Sequence, residues 1–193
     1  MEVLLNMKNT SLNKKNQDVF KINRFSIYTN SLESKTASIA NLADEIWREH
    51  FPSIIGDSQT DYMLKKFQSA EQICIDIKTN GFVYFTAECL KSKELAGYCA
   101  CQPKEDYLLL SKMYVRKVFR GTGVSRIFLV EAAALCQQRG LNKIRLTVNK
   151  YNSSAIMAYQ KMGFETIDSV KVDIGGGFFM DDFIMELHPE MNN

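Results

Sequence analysis

Between Leu108 and Gly140 the chain reads LLLSKMYVRKVFRGTGVSRIFLVEAAALCQQRG, and no other stretch constrains the fold as much. Leu108–Val115 is an apolar strand. Arg116 to Arg120 is too polar for a buried strand and too short for a helix, and Gly121 and Gly123 then bracket Thr122. Glycine reaches positive φ and lets the backbone approach a ligand closely. From Val124 to Cys136 nearly every residue is apolar, the mark of a helix covered on more than one side in a layered α/β domain, and Gly140 stops it. A strand feeding a glycine turn at a helix N-terminus can gather the amides of Gly121, Thr122, Gly123, Val124 and Ser125 into one concavity at the positive end of the helix dipole. Phosphate is held in such places. Arg116 or Arg120 adds a full positive charge. On spacing alone, a single G-x-G reads first as a plain strand-to-helix turn.

The flanking pattern sets the topology. Lys143 to Val148 (KIRLTV) is a strand, so the strand–helix–strand run predicts parallel pairing of 108–115 with 143–148 through a right-handed crossover. Upstream, Arg24–Thr29 alternates as a first strand. Ala37–His50 is an amphipathic helix with Ile39, Leu42, Ile46 and Trp47 on one stripe. Ser58–Phe67 is a second helix capped by Ser58 or Thr60, and Ala70–Lys78 a third, ended by Asn80–Gly81. Phe82–Glu88 and Leu95–Cys101 are joined to each other and to 108–115 by short polar turns, so these three strands should be antiparallel. Downstream, a helix capped by Asn152 or Ser153 carries Ile156, Tyr159 and Met162 and stops at Gly163. Phe164 begins another strand, and Gly175–Gly177 makes a hairpin. Residues 1–22, rich in Asn and Lys, form a lead-in, and 23–193 a single α/β (α+β) domain.

Composition narrows the function classes. At 193 residues with 46% hydrophobic and 24% charged residues, the chain can bury one well-developed core. A formal net charge of +2 argues against nucleic acid as a partner held by bulk charge. The five cysteines form no CxxC pair and sit among apolar neighbours, which reads as reduced packing thiols of a cytoplasmic protein. Cys99 and Cys101 would point the same way from one strand, but without a His cluster they make no metal site. No apolar segment has the length of a signal or a membrane span, so no membrane partner is expected.

The order of motifs then becomes specific. Val115-x₄-Arg120-Gly121-x-Gly123, a long apolar helix, a strand ending Leu146-x-Val148, and Asn149-x-x-Asn152-x-x-Ala155-x-x-x-Tyr159-x-x-x-Gly163-Phe164 together resemble the GNAT superfamily of acyl-CoA N-acyltransferases. The resemblance covers Leu108 to Phe164. The N-terminal helices, with His50-Phe51 and Tyr62-Met-Leu, are distantly similar to spermidine/spermine-type acetyltransferases. The resemblance implies a mixed, mostly antiparallel sheet splayed at its centre, with helices on both faces. It divides the domain into acceptor-side helices (37–78), an acyl-CoA-binding core (108–164) and a C-terminal hairpin (165–188). The implied donor is acetyl-CoA. Backbone groups of Met113, Tyr114 and Val115 would hold its pantetheine, Arg120 to Ser125 its pyrophosphate, and Asn152, with Asn149 beside it, the pantetheine amides. Tyr159 would protonate the departing thiolate, and Lys161 would reach the adenosine phosphate. One departure is Val118, where the family often carries Gln or Arg.

The chemistry implied is N-acetylation of a primary amine by direct attack. A tyrosine hydroxyl, with a reference pKa of about 10, suits the acid. A backbone N–H at a bulge near the end of the 108–115 strand would polarise the carbonyl. The base is open: Ser111 and Lys112 stand where many relatives carry a carboxylate, leaving Glu88, Asp181, Asp182 or relayed water. Trp47, His50, Phe51 and Tyr62 are candidates for an acceptor pocket, and Asp181 with Asp182 would attract a cationic acceptor. A polyamine, another small amine, and a protein N-terminus or lysine all stay open. The alternative is a catalytically silent acyl-CoA-binding or regulatory module, motivated by the missing carboxylate and Val118. Edge strands and the hairpin admit a homodimer.

Overall fold

A computed structural model describes residues 19–22, 24–29 and 35–189. In chain order the elements are β1 (Val19–Ile22), β2 (Phe25–Thr29), α1 (Thr36–His50), α2 (Pro52–Ile55), α3 (Asp57–Phe67), α4 (Ala70–Lys78), β3 (Val83–Cys89), β4 (Leu95–Pro103) and β5 (Leu108–Val115). A short 3₁₀ turn over Lys117–Phe119 leads to α5 (Val124–Gln138), β6 (Ile144–Asn149), α6 (Ser153–Lys161), β7 (Glu165–Gly175) and β8 (Phe178–Leu187). The strands form one eight-stranded sheet in the order β1-β2-β3-β4-β5-β6-β8-β7. Its first strand takes residues 19–22 from the segment expected to be lead-in; residues 1–18 lie outside the described residues.

Alternation on the strands sends side chains to two cores, one on each face. On β4, Cys99 and Cys101 point toward α5 and α6, with their sulfurs 4.0 Å apart, while Tyr98 and Ala100 point toward α1, α3 and α4. Helices therefore cover both faces. The α1 stripe of Ile39, Leu42, Ile46 and Trp47 is buried as its spacing predicts. α5 differs from its reading. It buries one stripe (Val124, Ile127, Phe128, Ala132, Leu135, Cys136), with Leu129 and Ala133 partly covered beside it, and leaves Ala134 exposed, so there is no second fully covered face. The cap of α3 differs as well. Gly56, at φ 79°, precedes the helix, and Ser58 and Thr60 both lie inside it, the Thr60 hydroxyl donating back to the Gly56 carbonyl at 2.8 Å. Among the described residues no helix is long and apolar enough to cross a membrane.

All strand pairs but one are antiparallel. β5 and β6 are parallel as expected, but only through Leu108↔Ile144 and Leu109↔Arg145. Opposite β4 the register jumps from Ala100↔Lys112 to Cys101↔Leu110, leaving Ser111 as the extra residue of a bulge. A bulge bends and twists the strand that carries it. Past this point β5 and β6 share no rungs, and β6 continues beside β8 as far as Asn149↔Asp182. The sheet is splayed at its centre, and the opening is a cleft. At the far edge, Gly176 and Gly177 have φ of 65° and 80°, the left-handed pair that a two-residue hairpin loop requires.

Candidate active site

A cavity of about 920 Å³ fills the splay. One wall is β5 with the end of α1 and parts of α3 and α4; the other is β6, β8 and α6. The N-terminus of α5 closes one end. Of the residues singled out in the sequence, Trp47, His50, Phe51, Met113, Tyr114, Val115, Arg120, Gly121, Gly123, Val124, Ser125, Asn149, Asn152, Tyr159, Lys161 and Asp182 line it. Thr122, Tyr62 and Asp181 do not. The Thr122 hydroxyl donates to the Phe119 carbonyl at 2.6 Å and so closes the turn. Tyr62 donates to the Ile174 carbonyl at 2.6 Å and packs on Phe178, holding the β7–β8 hairpin. Asp181 is paired with Lys150 at 2.6 Å. Glu88 is also outside the lining, on β3, where it accepts from the Tyr28 hydroxyl at 3.5 Å.

The glycine turn fits a phosphate through its backbone. Gly121 and Gly123 sit at φ 73° and 95°, and an added Cβ would meet nothing within 4 Å at either, so their faces are open. Their amides have no acceptor in the turn, and the first-turn amides of Val124 and Ser125 lack i−4 partners as at any helix start. The two arginines are engaged elsewhere. Arg120 donates from Nε to the Val115 carbonyl at 3.1 Å and clasps Glu49 of α1 through both terminal nitrogens at 3.1 and 2.8 Å. Arg116 pairs with Glu45 at 3.0 Å and Glu94 at 3.4 Å. Burial alone would raise the Glu49 carboxyl, but Arg120 and Lys117 together hold it below its ordinary value. Glu49 is a residue that sequence reasoning missed, because its partner lies 71 positions away. Val118 is 73% exposed and points out of the site.

Beyond Leu109 the edge of β5 that faces β6 has no ladder partner, so an extended ligand can pair with it as a strand would. Asn152 is buried at the start of α6, where its Oδ1 accepts from the Ala155 amide at 3.3 Å and the Ser154 hydroxyl at 3.2 Å. The same oxygen accepts from His50 Nε2 at 3.1 Å, a link from the end of α1 to the opposite wall. Asn149 Oδ1 accepts from the Tyr151 amide at 3.0 Å.

Three buried titratable groups line the cavity. Tyr159 packs edge-on to Phe164 with ring centroids 5.6 Å apart, and its hydroxyl makes no hydrogen bond among the described residues. Burial, reinforced by Cys99, pushes it well above the ordinary tyrosine value, so it remains protonated. Asp182 is 6% exposed; burial raises its carboxyl, Asp181 adds to the rise, and a hydrogen bond from Thr147 opposes it. Tyr114 is likewise raised by burial, next to Tyr159 and Asp182, and packs with Trp47, Tyr98 and Phe51 at 5.7, 5.3 and 6.2 Å. This aromatic wall includes Trp47 stacked on Phe51 at 4.1 Å.

A second group was missed altogether. Lys112, read in the sequence as the position of an absent acid, forms a buried ion pair with Asp76 of α4 at 2.8 Å, and both residues line the cavity. The signal was available: a lysine inward on a strand that is otherwise apolar calls for a carboxylate partner.

Comparison with known proteins agrees with this geometry. A family model described as "Acetyltransferase (GNAT) family" matches residues 39–164. Thialysine N-epsilon-acetyltransferase of Caenorhabditis elegans is 27% identical over 114 residues, 58% of this chain and 68% of that protein. Streptothricin acetyltransferase of Streptomyces lavendulae is 33% identical over 73 residues, which span 37% of this chain and 39% of that protein. Among solved structures, PaiA N-acetyltransferase of Thermoplasma acidophilum, crystallised in complex with coenzyme A, superposes with a TM-score of 0.70 at 21% identity, covering 84% of this chain and 99% of that one. A GCN5-related N-acetyltransferase of Rhodopseudomonas palustris gives a TM-score of 0.71 at 14% identity over 88% of this chain and 98% of the other. At these identities the structural likeness is one of fold.

Proposed function

The chain belongs to the GNAT acetyltransferase family, and from that premise we propose that it moves an acetyl group from acetyl-CoA to a primary amine by direct attack. One observation carries the reading: a single cavity joins the open glycine turn, the unpaired edge of β5 and the Tyr159 hydroxyl. Acetyl-CoA supplies the activated acyl group as a thioester. The amides of Gly121, Gly123, Val124 and Ser125 hold the pyrophosphate, and Lys161 at the mouth reaches the adenosine phosphate. The free edge of β5 from Met113 to Val115 pairs with the pantetheine, and Asn152 completes that contact. At the Ser111 bulge, where the ladder is interrupted, a backbone N–H holds the carbonyl oxygen as it gains charge. Tyr159 holds the proton for the sulfur, and Asp182 takes the proton from the amine.

Asp182 meets the motive for a catalytically silent module, since a buried carboxyl with raised affinity for protons stands in the cavity where β5 has none. The acceptor is a small molecule: the name of the Caenorhabditis elegans relative places its acetyl group on the ε-nitrogen of thialysine, which supports an amine on a flexible chain. The five free cysteines favour a cytoplasmic setting. Calorimetry with acetyl-CoA and a thiol-release assay over small amines test the reading. Micromolar binding and turnover of at least one amine are expected; no binding of any acyl-CoA would end it. Tyr159→Phe should reduce kcat by a factor on the order of 10² or more while acetyl-CoA affinity stays within about twofold. Equal loss of both would remove the acid role.

A further inference from the structure

The acceptor end of the cavity carries a charge for which the transfer step has no use. The row across the sheet at Lys112 is Tyr84, Ala100, Lys112. Ala100 is small, so the Lys112 side chain passes over it to reach both the Tyr84 hydroxyl and Asp76 Oδ2, the latter at 2.8 Å. Only 7% of that side chain is exposed. Asp76 is already saturated. Gln72 and Asn80 donate to Oδ1 at 2.8 and 3.1 Å, and Tyr84 donates to Oδ2 at 3.0 Å beside Lys112. Burial lowers the Lys112 ammonium from its ordinary value, and Asp76 opposes that fall.

An ammonium carries three N–H donors. Asp76 and Tyr84 take two, and the third has no hydrogen-bond acceptor among the described residues, the Phe82 ring centroid lying 5.8 Å from Nζ, although Lys112 borders the cavity. The neighbouring row on the same face repeats the situation. Gln68, 4% exposed, accepts from the Tyr98 hydroxyl at 3.0 Å, and its amide NH₂ has no partner among the described residues. Gln68 lines the same cavity. Two donors on largely buried side chains, one of them cationic, thus line the cavity with hydrogen-bonding capacity to spare. Leaving such donors unmatched is unfavourable, and a bound anion would satisfy both. A cationic acceptor group at this end would meet the ammonium and find the Asp76 carboxylate fully occupied.

We propose that Lys112 and Gln68 bind a carboxylate on the acceptor, which makes the acceptor an amino acid or another amine bearing a carboxylate rather than a polyamine. Lys112 lines the cavity from β5 and Asp182 from β8, so a carboxylate held by the first leaves the amine to be received by the second. This assignment rests on the acetyl-transfer reading above.

The test compares lysine, lysinamide and cadaverine as acceptors with saturating acetyl-CoA, following thiol release. Lysine should exceed both others in kcat/KM by about 10- to 100-fold, mostly through KM, since one charge-assisted contact is at stake. Lys112→Met should erase that preference. Because Lys112→Met strands Asp76, Gln68→Met serves as a second variant and should narrow the preference without removing the ion pair. Cadaverine used as well as lysine overturns the carboxylate site and leaves the transfer reading intact. If acetyl-CoA binds and none of the three is acetylated, calorimetry of aminohexanoate against diaminohexane on the coenzyme A-loaded protein decides. Tighter binding of aminohexanoate upholds the site and leaves the transfer reading to the wider amine panel, and equal or weaker binding overturns the site.

Discussion

Asp182 enters the cavity from β8 at the last rung β8 shares with β6, beyond the point where β6 and β5 part, and as the proposed base it sets how activity should respond to pH. A general base works in its deprotonated form. Burial raises the Asp182 carboxyl above the ordinary aspartate value near 4, so kcat/KM should climb with pH through an apparent pKa above that value. Asp182→Asn should remove that limb and lower kcat/KM by about 10²- to 10⁴-fold. An unchanged acid limb in the variant would transfer the role to water. Asp76 shows the opposite direction. Burial would raise it, but its bonds to Lys112, Gln72 and Asn80 outweigh burial and hold it below its ordinary value. A carboxyl depressed in the folded state adds stability that is complete above the unfolded pKa and fades as pH falls through the folded one. Asp76→Asn should therefore flatten the acid side of the stability curve. At neutral pH it should lose about 3–5 kcal/mol, because Lys112 is left buried without its counter-charge. Urea unfolding at pH 3 to 7 measures both effects, and parallel curves for the two proteins would refute the assignment.

At the scale of elements, the site depends on how β4 carries β5 past the bulge. Gly97 lies opposite Val115, and a Cβ added there would fall 2.6 Å from the Tyr114 carbonyl oxygen and 3.2 Å from the Phe128 ring. Both neighbours are held in place, one by the strand and one by the core. Gly97→Ala must push β5 away from β4, with a loss of about 1–3 kcal/mol by overpacking. It should also weaken acetyl-CoA binding several-fold, as Met113 to Val115 move with the strand. Denaturation and calorimetry on one sample check the pair, and lost stability with intact affinity would detach the β5 edge from the binding site. The same strand shows what a sequence can and cannot disclose. Leu108–Val115, the glycine turn and the Asn152 cap were legible because each signal lies within a few residues of its consequence. The bulge at Ser111 was anticipated only as a bulge somewhere near the strand end, since its register is set by β4. Arg120 was read as a free phosphate ligand because Glu49 is remote in sequence. Tyr62 was grouped with Trp47, His50 and Phe51 as a candidate for an acceptor pocket, yet α3 turns it toward the Ile174 carbonyl of a hairpin more than a hundred residues later. Lys112 was read by what it is not, and its partner on α4 gave it a meaning the strand alone could not.

The molecule as a whole is two cores on opposite faces of one sheet that opens between β5 and β6. The layer of α1, α3 and α4 meets the α5–α6 layer across that opening through a few polar links. His50 reaches Asn152, and Glu49 and Glu45 hold Arg120 and Arg116 at the entrance to the turn. The cavity is lined from both layers, so a ligand that fills it should fasten them together. At a hundredfold excess over its dissociation constant, acetyl-CoA should add about 2.7 kcal/mol of stability. For a chain of this length that corresponds to a rise in Tm of about 5–10 °C. The distribution of the gain says more than its size. Hydrogen exchange with acetyl-CoA bound should slow in the last turn of α1 around Glu49 and His50, at the Asn152 cap of α6, and in the turn from Gly121 to Ser125. Exchange reports local opening, and sites coupled through one bound molecule should close together. Protection confined to Gly121–Ser125 would mean that the donor is held by the turn alone, and that α1 serves the acceptor without sensing whether the donor is in place.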